Sequence, residues 1–229
     1  MAVAVETRAK DYLAAIAHLP PGGTLTFQHV SWAEYEELLE DLGPGYTPRI
    51  SYDHGRLEIT MPLPTHEYLK VCFSDLMRAL TDELELDMNG LGSTTFRYED
   101  WLQGLEPDTC FYIQNAARVI GVKRFDPNSP PPPPDIAVEI DITSESLSRF
   151  HIYANLGVPE IWRYDEQRVE IYHLTETGYV EAGASRAFPF LTGDVLTQFL
   201  ERCQTEGQSA ALRAFREWVR TEKPSRPEA

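Results

Sequence analysis

Two carboxylates in strand-like settings carry the chemistry that can be read in this chain. Glu139 sits inside Ile136-Ala-Val-Glu-Ile140, where every neighbour is apolar, and Asp141 follows two residues later. Asp108 lies in Glu106-Pro107-Asp108 and opens a second strand-like run, Thr109 to Ile113. A carboxylate in a strand buried on both faces costs several kcal/mol unless it is paired, protonated or metal-bound. Two neighbouring strands that each present a carboxylate can hold a divalent cation. Two carboxylate oxygens, a backbone carbonyl and waters are the usual hard-ligand set for magnesium. Asp141 shares the sheet face of Glu139, because side chains alternate along a strand. It is a further candidate acid for that site, or else it or Thr143 starts the following helix.

Other charged residues have plainer explanations at this level. Arg149 lies four residues after Glu145 and four before Tyr153, so its spacing favours a surface pair with Glu145 worth a few tenths of a kcal/mol. Glu58 falls in a strand just before a long helix, and His66 falls in the first turn of that helix. His29, His54 and His173 show no ligand spacing. The chain has no GxSxG, P-loop, GxGxxG or HExxH pattern, so triad-hydrolase, nucleotide-binding and zincin chemistry have no support. The three cysteines are far apart and odd in number, which argues against a disulfide framework and a thiolate zinc site. Cys72 and Cys110 fall in apolar patterns and read as core.

These residues need elements to position them. The pattern predicts a helix over 5–17, a strand over 24–30, and a helix over 31–42 opened by the capping box Ser31-Trp-Ala-Glu34. Strands at 49–52 and 56–61 flank the turn Asp53-His54-Gly55. A long helix over about 65–83 has an apolar stripe at Leu69, Phe73, Leu76, Met77 and Leu80. Residues 88–98 read as one strand broken by Gly90 and Gly92, and 99–106 as a loop or short helix. After the 109–113 strand come a polar excursion over 115–129 and five stiff prolines at 130–134. Residues 136–142 read as a buried strand, followed by a helix capped by Thr143 or Ser144 and ending near Leu156. A meander over 160–182 and two amphipathic helices, about 194–203 and 207–221, complete the chain. The last residues, 223–229, are expected to be disordered.

The chain has 229 residues and 42% hydrophobic content, enough for one domain with a sizeable core or at most two small ones. It contains no apolar run of about 18 residues, and its first twenty residues lack a basic-then-apolar signal pattern. The expected location is therefore the cytoplasm, with no membrane contact. The net charge of −16 weighs against tight non-specific DNA binding, which normally needs a basic face. It weighs less against a metal-dependent enzyme, whose site needs acids.

Several segments, taken in order, resemble the Uma-two family, a branch of the restriction-endonuclease-like PD-(D/E)XK superfamily. They are Gly55-Arg-Leu-Glu58, Pro62 and His66, Gly92-Ser-Thr-Thr-Phe96, Glu106-Pro-Asp108, Pro134-Asp-Ile-Ala-Val-Glu139, Ile142-Thr-Ser144 and Ile152-Tyr-Ala-Asn-Leu-Gly-Val-Pro-Glu-Ile-Trp162. The resemblance runs from about residue 31 to 175. It implies an α/β fold: a restriction-endonuclease-like mixed central sheet flanked by helices, with extra N- and C-terminal helices. One domain over 1–222, with its core at about 31–185, is the expected organisation. The resemblance further implies metal-dependent DNA endonuclease activity with Mg2+ (or Mn2+) on Asp108 and Glu139. Glu58 and His66 would line the site, Arg149 would contact phosphate, and the protein would act as a homodimer. Arg149 aligns with a position where the family usually supplies a lysine. Arginine neutralises a phosphate but stays protonated and cannot act as a base. That departure, with the acidity, leaves a second reading: a weakened nuclease fold serving as a nucleic-acid-binding or regulatory module.

Overall fold

The computed structural model describes residues 8–43, 46–122, 132–142 and 145–222. Residues 5–7 of the expected first helix, Pro130 and Pro131, the later part of the polar excursion, the candidate caps Thr143 and Ser144, and the expected disordered tail 223–229 lie outside the described residues.

In chain order the described elements begin with α1 (Arg8–Ala17), β1 (Thr24–Phe27), α2 (Trp32–Leu42), β2 (Arg49–Asp53), β3 (Arg56–Thr60) and α3 (Pro64–Leu84). There follow β4 (Asn89–Gly90), β5 (Phe96–Tyr98), β6 (Gln103–Leu105), β7 (Thr109–Tyr112), α4 (Ala116–Val119), β8 (Ile136–Ile140) and α5 (Phe150–Leu156). The chain ends with β9 (Glu160–Tyr164), β10 (Val169–Thr175), β11 (Gly178–Ala182), α6 (Gly193–Glu206) and α7 (Gln208–Glu222). The architecture is mixed α/β. Contacts gather into two compact units, residues 1–64 with 95–106, and residues 65–94 with 107–229.

The first unit holds an antiparallel sheet in the order β1-β3-β2-β6-β5. Ser31 caps α2 as its sequence predicts: its hydroxyl accepts from the Glu34 amide, and the Glu34 carboxylate takes the Ser31 N–H at 2.7 Å. The β2–β3 hairpin turns through His54 and Gly55, both with positive φ (44° and 93°), the backbone twist that suits a tight hairpin. The short helix expected in 99–106 is confined to a 3-10 turn, Glu99–Trp101, and strand β6 follows where no strand was expected. Leu102, at φ 47°, reverses the chain, and its carbonyl accepts from the His54 N–H at 3.0 Å. A Cβ at Gly104 would lie 2.4 Å from Tyr35 Oη, so glycine lets the fully buried Tyr35 ring lie against β6.

The second unit holds a six-stranded sheet in the order β11-β10-β9-β8-β7-β4. Only the central pair β8–β9 is parallel among its described pairs, so the sheet is mixed. Ile136, Val138 and Ile140 project from one face of β8 into a core built with α3, α6 and α7 residues, among them Phe73, Leu76, Phe199 and Phe215. Ala137 and Glu139 therefore point to the other face. Residues 88–98 do not form one interrupted strand. They divide into β4, which pairs with β7, and β5, which pairs with β6 in the other sheet. Gly92 (φ 56°) starts that division, and Thr94 bonds back to Gly92 and Leu91, making a turn where a break within a single strand was expected. After β8 the helical path begins with a 3-10 turn, Leu147–Arg149, and becomes α-helical only at Phe150.

Candidate active site

The sheet register brings the two carboxylates together. In the antiparallel β7–β8 pair, Thr109 faces Val138 and Cys110 faces Ala137. One further step along the same register sets Asp108 opposite Glu139, and directly opposed residues share a face. Asp108 accordingly acts on Glu139 as a like charge. Both are buried, Glu139 to 2% residual exposure.

Each acid is held by its own donors. Asp108 Oδ2 accepts the Ile140 N–H at 2.7 Å and lies 2.9 Å from His66 Nε2. His66 is in the first turn of α3 and is buried, not the exposed helix-start histidine that its position alone would suggest. Glu139 Oε2 is 3.1 Å from the Arg149 guanidinium, and Glu139 Oε1 accepts from the Tyr153 hydroxyl. Arg149 thus reaches the acidic site, whereas its spacing alone favoured Glu145. Burial of Glu139 is the reason: a desolvated carboxylate gains more from a guanidinium than an exposed pair one helical turn apart.

The balance of these forces leaves Glu139 easy to protonate. Burial raises its pKa most, Arg149 and the Tyr153 hydrogen bond oppose that, and Asp108 and Asp141 add to it; the result is pushed up to about 7. Burial and the neighbouring Glu139 likewise hold the Tyr153 phenol well above its usual range.

Asp141 has a supporting task. Its Oδ2 accepts the Ser146 N–H at 2.9 Å and the Ser146 hydroxyl at 3.1 Å, and it pairs with Arg163 Nε at 2.6 Å. It anchors the start of the turn that delivers Arg149, which agrees with its helix-initiating reading. Glu58 belongs to the first unit, on β3, where it is buried and ion-paired with Arg56.

Sequence reasoning passed over two groups. Tyr153 was visible only as the i+4 neighbour of Arg149. Lys70 stands one turn beyond His66 on α3 and donates to Ser93 Oγ at 2.9 Å; Ser93 Oγ is 3.5 Å from the Asp108 carbonyl. The chain has only four lysines, and Lys70 is the one whose side chain is among those described. Its i+4 spacing from His66 was the available signal.

Among the described residues, no three His, Cys, Asp or Glu side chains gather as a metal-holding group. The pair Asp108 and Glu139 still fits a hard cation. Magnesium is commonly held by one or two carboxylates with the rest of its shell supplied by water, and two buried acids that face each other across a strand pair are a setting that a cation relieves.

A family model described as "Uma2: Putative restriction endonuclease" matches residues 32–203. No curated protein matches the chain. Among solved structures, the chain is similar to a protein from Anabaena variabilis ATCC 29413, described as "a putative nuclease belonging to DUF820". Identity is 16% and the TM-score 0.51, over 75% of this chain and 99% of that one, a likeness of fold. The family match spans every residue of the carboxylate cluster and well over half of the sequence; the chain belongs to the Uma2 family.

Proposed function

We propose that the second unit carries a divalent-metal-dependent phosphodiesterase site that cuts DNA internally. The observation that supports this most is the buried, facing pair Asp108 and Glu139 with the Arg149 guanidinium beside it. A magnesium or manganese ion bound by the pair would supply Lewis-acid stabilisation of charge on the phosphoryl oxygens. The chain's own residues do the rest. The Ile140 N–H and His66 fix the Asp108 rotamer, so that carboxylate is pre-set. Tyr153 and Arg149 fix Glu139 in the same way. Arg149 offers a permanent positive charge where a phosphate would arrive, and it cannot accept a proton.

The test is purified protein on supercoiled plasmid and on single-stranded DNA, with magnesium or manganese against chelator. Metal-dependent nicking that disappears in Asp108→Asn and Glu139→Gln supports the reading. Wild type that leaves both substrates intact with both metals overturns it. One observation favours a second reading, a non-cutting nucleic-acid-binding or regulatory module: the Arg149 guanidinium is engaged by Glu139, in a chain of net charge −16. Salt-sensitive DNA binding without cleavage would favour that module.

A further inference from the structure

The cations around the carboxylate pair differ in how far their charge is already cancelled. Arg149 is held by the buried Glu139, and Arg163 by the buried Asp141 and Glu170. Lys70 is placed differently. It lies on α3 four residues after His66, whose Nε2 is 2.9 Å from Asp108 Oδ2. Residues four apart share a helix face, so Lys70 stands on the side of α3 that is turned to Asp108. A second contact places it there independently. Its Nζ donates to Ser93 Oγ at 2.9 Å, and Ser93 Oγ donates to the Asp108 carbonyl at 3.5 Å. Its other described partner is Glu67 Oε2, at 3.3 Å. The Lys70 side chain is 21% exposed and that of Glu67 47% exposed. An ammonium carries three N–H donors, and Ser93 and Glu67 take two of them.

We propose that Lys70, steered by Ser93, contacts a DNA backbone phosphate beside the Asp108–Glu139 pair. The proposal rests on the DNA-cleaving reading above and adds to it a residue that holds the strand. Two costs decide between the available cations. Taking Arg149 away from Glu139 leaves a buried carboxylate unpaired, which is expensive. Taking Lys70 away from Glu67 breaks an exposed pair, which is weak and screened by salt. A phosphate can therefore replace Glu67 on the ammonium with little loss. A compact ammonium with rotatable donors also suits a phosphate as a point charge. Ser93 ties that charge to the backbone of Asp108, which fixes the spacing between the phosphate and the carboxylates. In a chain of net charge −16, such local contacts must carry the binding.

The experiment uses the full-length protein in two arms. In chelator, where nothing is cut, binding to a short fluorescein-labelled duplex is followed by anisotropy over a range of salt concentrations. With magnesium or manganese, plasmid cleavage gives kcat and KM. Lys70→Met should weaken binding about tenfold or more and flatten the slope of log affinity against log salt by about one. Its KM should rise while kcat changes little, and Lys70→Arg should restore the slope. Glu67→Gln should tighten binding. Arg220→Gln and Glu217→Gln make the same charge changes on α7, where Arg220 is bonded to Glu83, about 20 Å along α3 from Lys70; both should bind as wild type does. If wild type cuts and Lys70→Met keeps its KM and salt slope, the Lys70 assignment falls and the cleaving reading stands. A lower kcat or melting temperature in Lys70→Met with an unchanged slope would make Lys70 a prop for the Ser93 turn and overturn the assignment. If wild type binds with a Lys70-dependent slope but does not cut, the assignment stands and the cleaving reading falls. DNA left unbound and uncut by wild type overturns both. Should Lys70→Met not fold, Glu67→Gln decides, and binding no tighter than that of Glu217→Gln overturns the assignment.

Discussion

Replacing Glu139 by glutamine tests the centre of the site through stability, with no need of a substrate. The ordinary glutamate value of 4.5 is pushed up to about 7 at Glu139 in the fold. At about 1.4 kcal/mol for each tenfold change in proton affinity, that is about 3 kcal/mol. Below 4.5 both folded and unfolded chains hold the proton, and the contribution is fully present. Between 4.5 and 7 the unfolded chain ionises first, so stability falls as pH rises. Above 7 the loss is complete. Glutamine keeps the shape and can still accept from Tyr153 or Arg149, but it has no charge to repel Asp108. At pH 8 without metal, Glu139→Gln should therefore be more stable by about 1–3 kcal/mol, part of the gain being offset by the weaker hold on Arg149. For a chain of this size that is a rise of roughly 3–10 °C in melting temperature. Near pH 4 the two proteins should melt together. Magnesium should raise the melting temperature of the wild type and not of the variant, because a ligand stabilises only the state that binds it. The assay is melting by circular dichroism across pH, with and without magnesium. A variant that melts lower at pH 8, pH curves that run parallel, or equal magnesium shifts would show that Glu139 is a structural acid and refute the reasoning.

Arg149→Lys keeps the positive charge beside Glu139 but exchanges a planar fork for a titratable ammonium; plasmid nicking should persist or quicken, and complete loss would show that the fork is required. Tyr153→Phe removes a hydrogen bond that lowers the Glu139 pKa, so that value should climb further above about 7 and the acid limb of the pH–rate profile should move to higher pH; an unmoved limb refutes the coupling. In the first unit, Gly104→Ala places a methyl 2.4 Å from Tyr35 Oη and 3.2 Å from its Cε1, which should cost about 1–3 kcal/mol in urea unfolding; a neutral substitution would show that the Tyr35 ring has room to move.

Residues 31–34, 53–56 and 69–80 carried their structure in local pattern. A capping box, a turn with two positive-φ positions and an apolar helical stripe each act within a few residues, so each was legible before any tertiary contact was known. The apolar run around Glu139 was legible in the same way, and so was the improbability of leaving that acid alone. Strand partnership was not. Nothing local in 88–98 says that its two ends join different sheets, and Gln103–Leu105 has too few residues and too plain a pattern to announce a strand.

By itself the sequence determined that Glu139 sits inside a buried strand, that Asp108 directly precedes another, that His66 opens a long helix, and, through the order of its motifs, the Uma2 family. Only the tertiary structure decided which charge faces which. It set Asp108 against Ile140 N–H and His66, turned Arg149 to Glu139, added Tyr153 beside it, and sent Asp141 to Ser146 and Arg163. The physical reason lies in the two energy scales. An i,i+4 pair on an exposed helix is worth a few tenths of a kcal/mol, while an unpaired buried carboxylate costs several. Burial, which depends on the whole fold, therefore overrides spacing in the choice of partner.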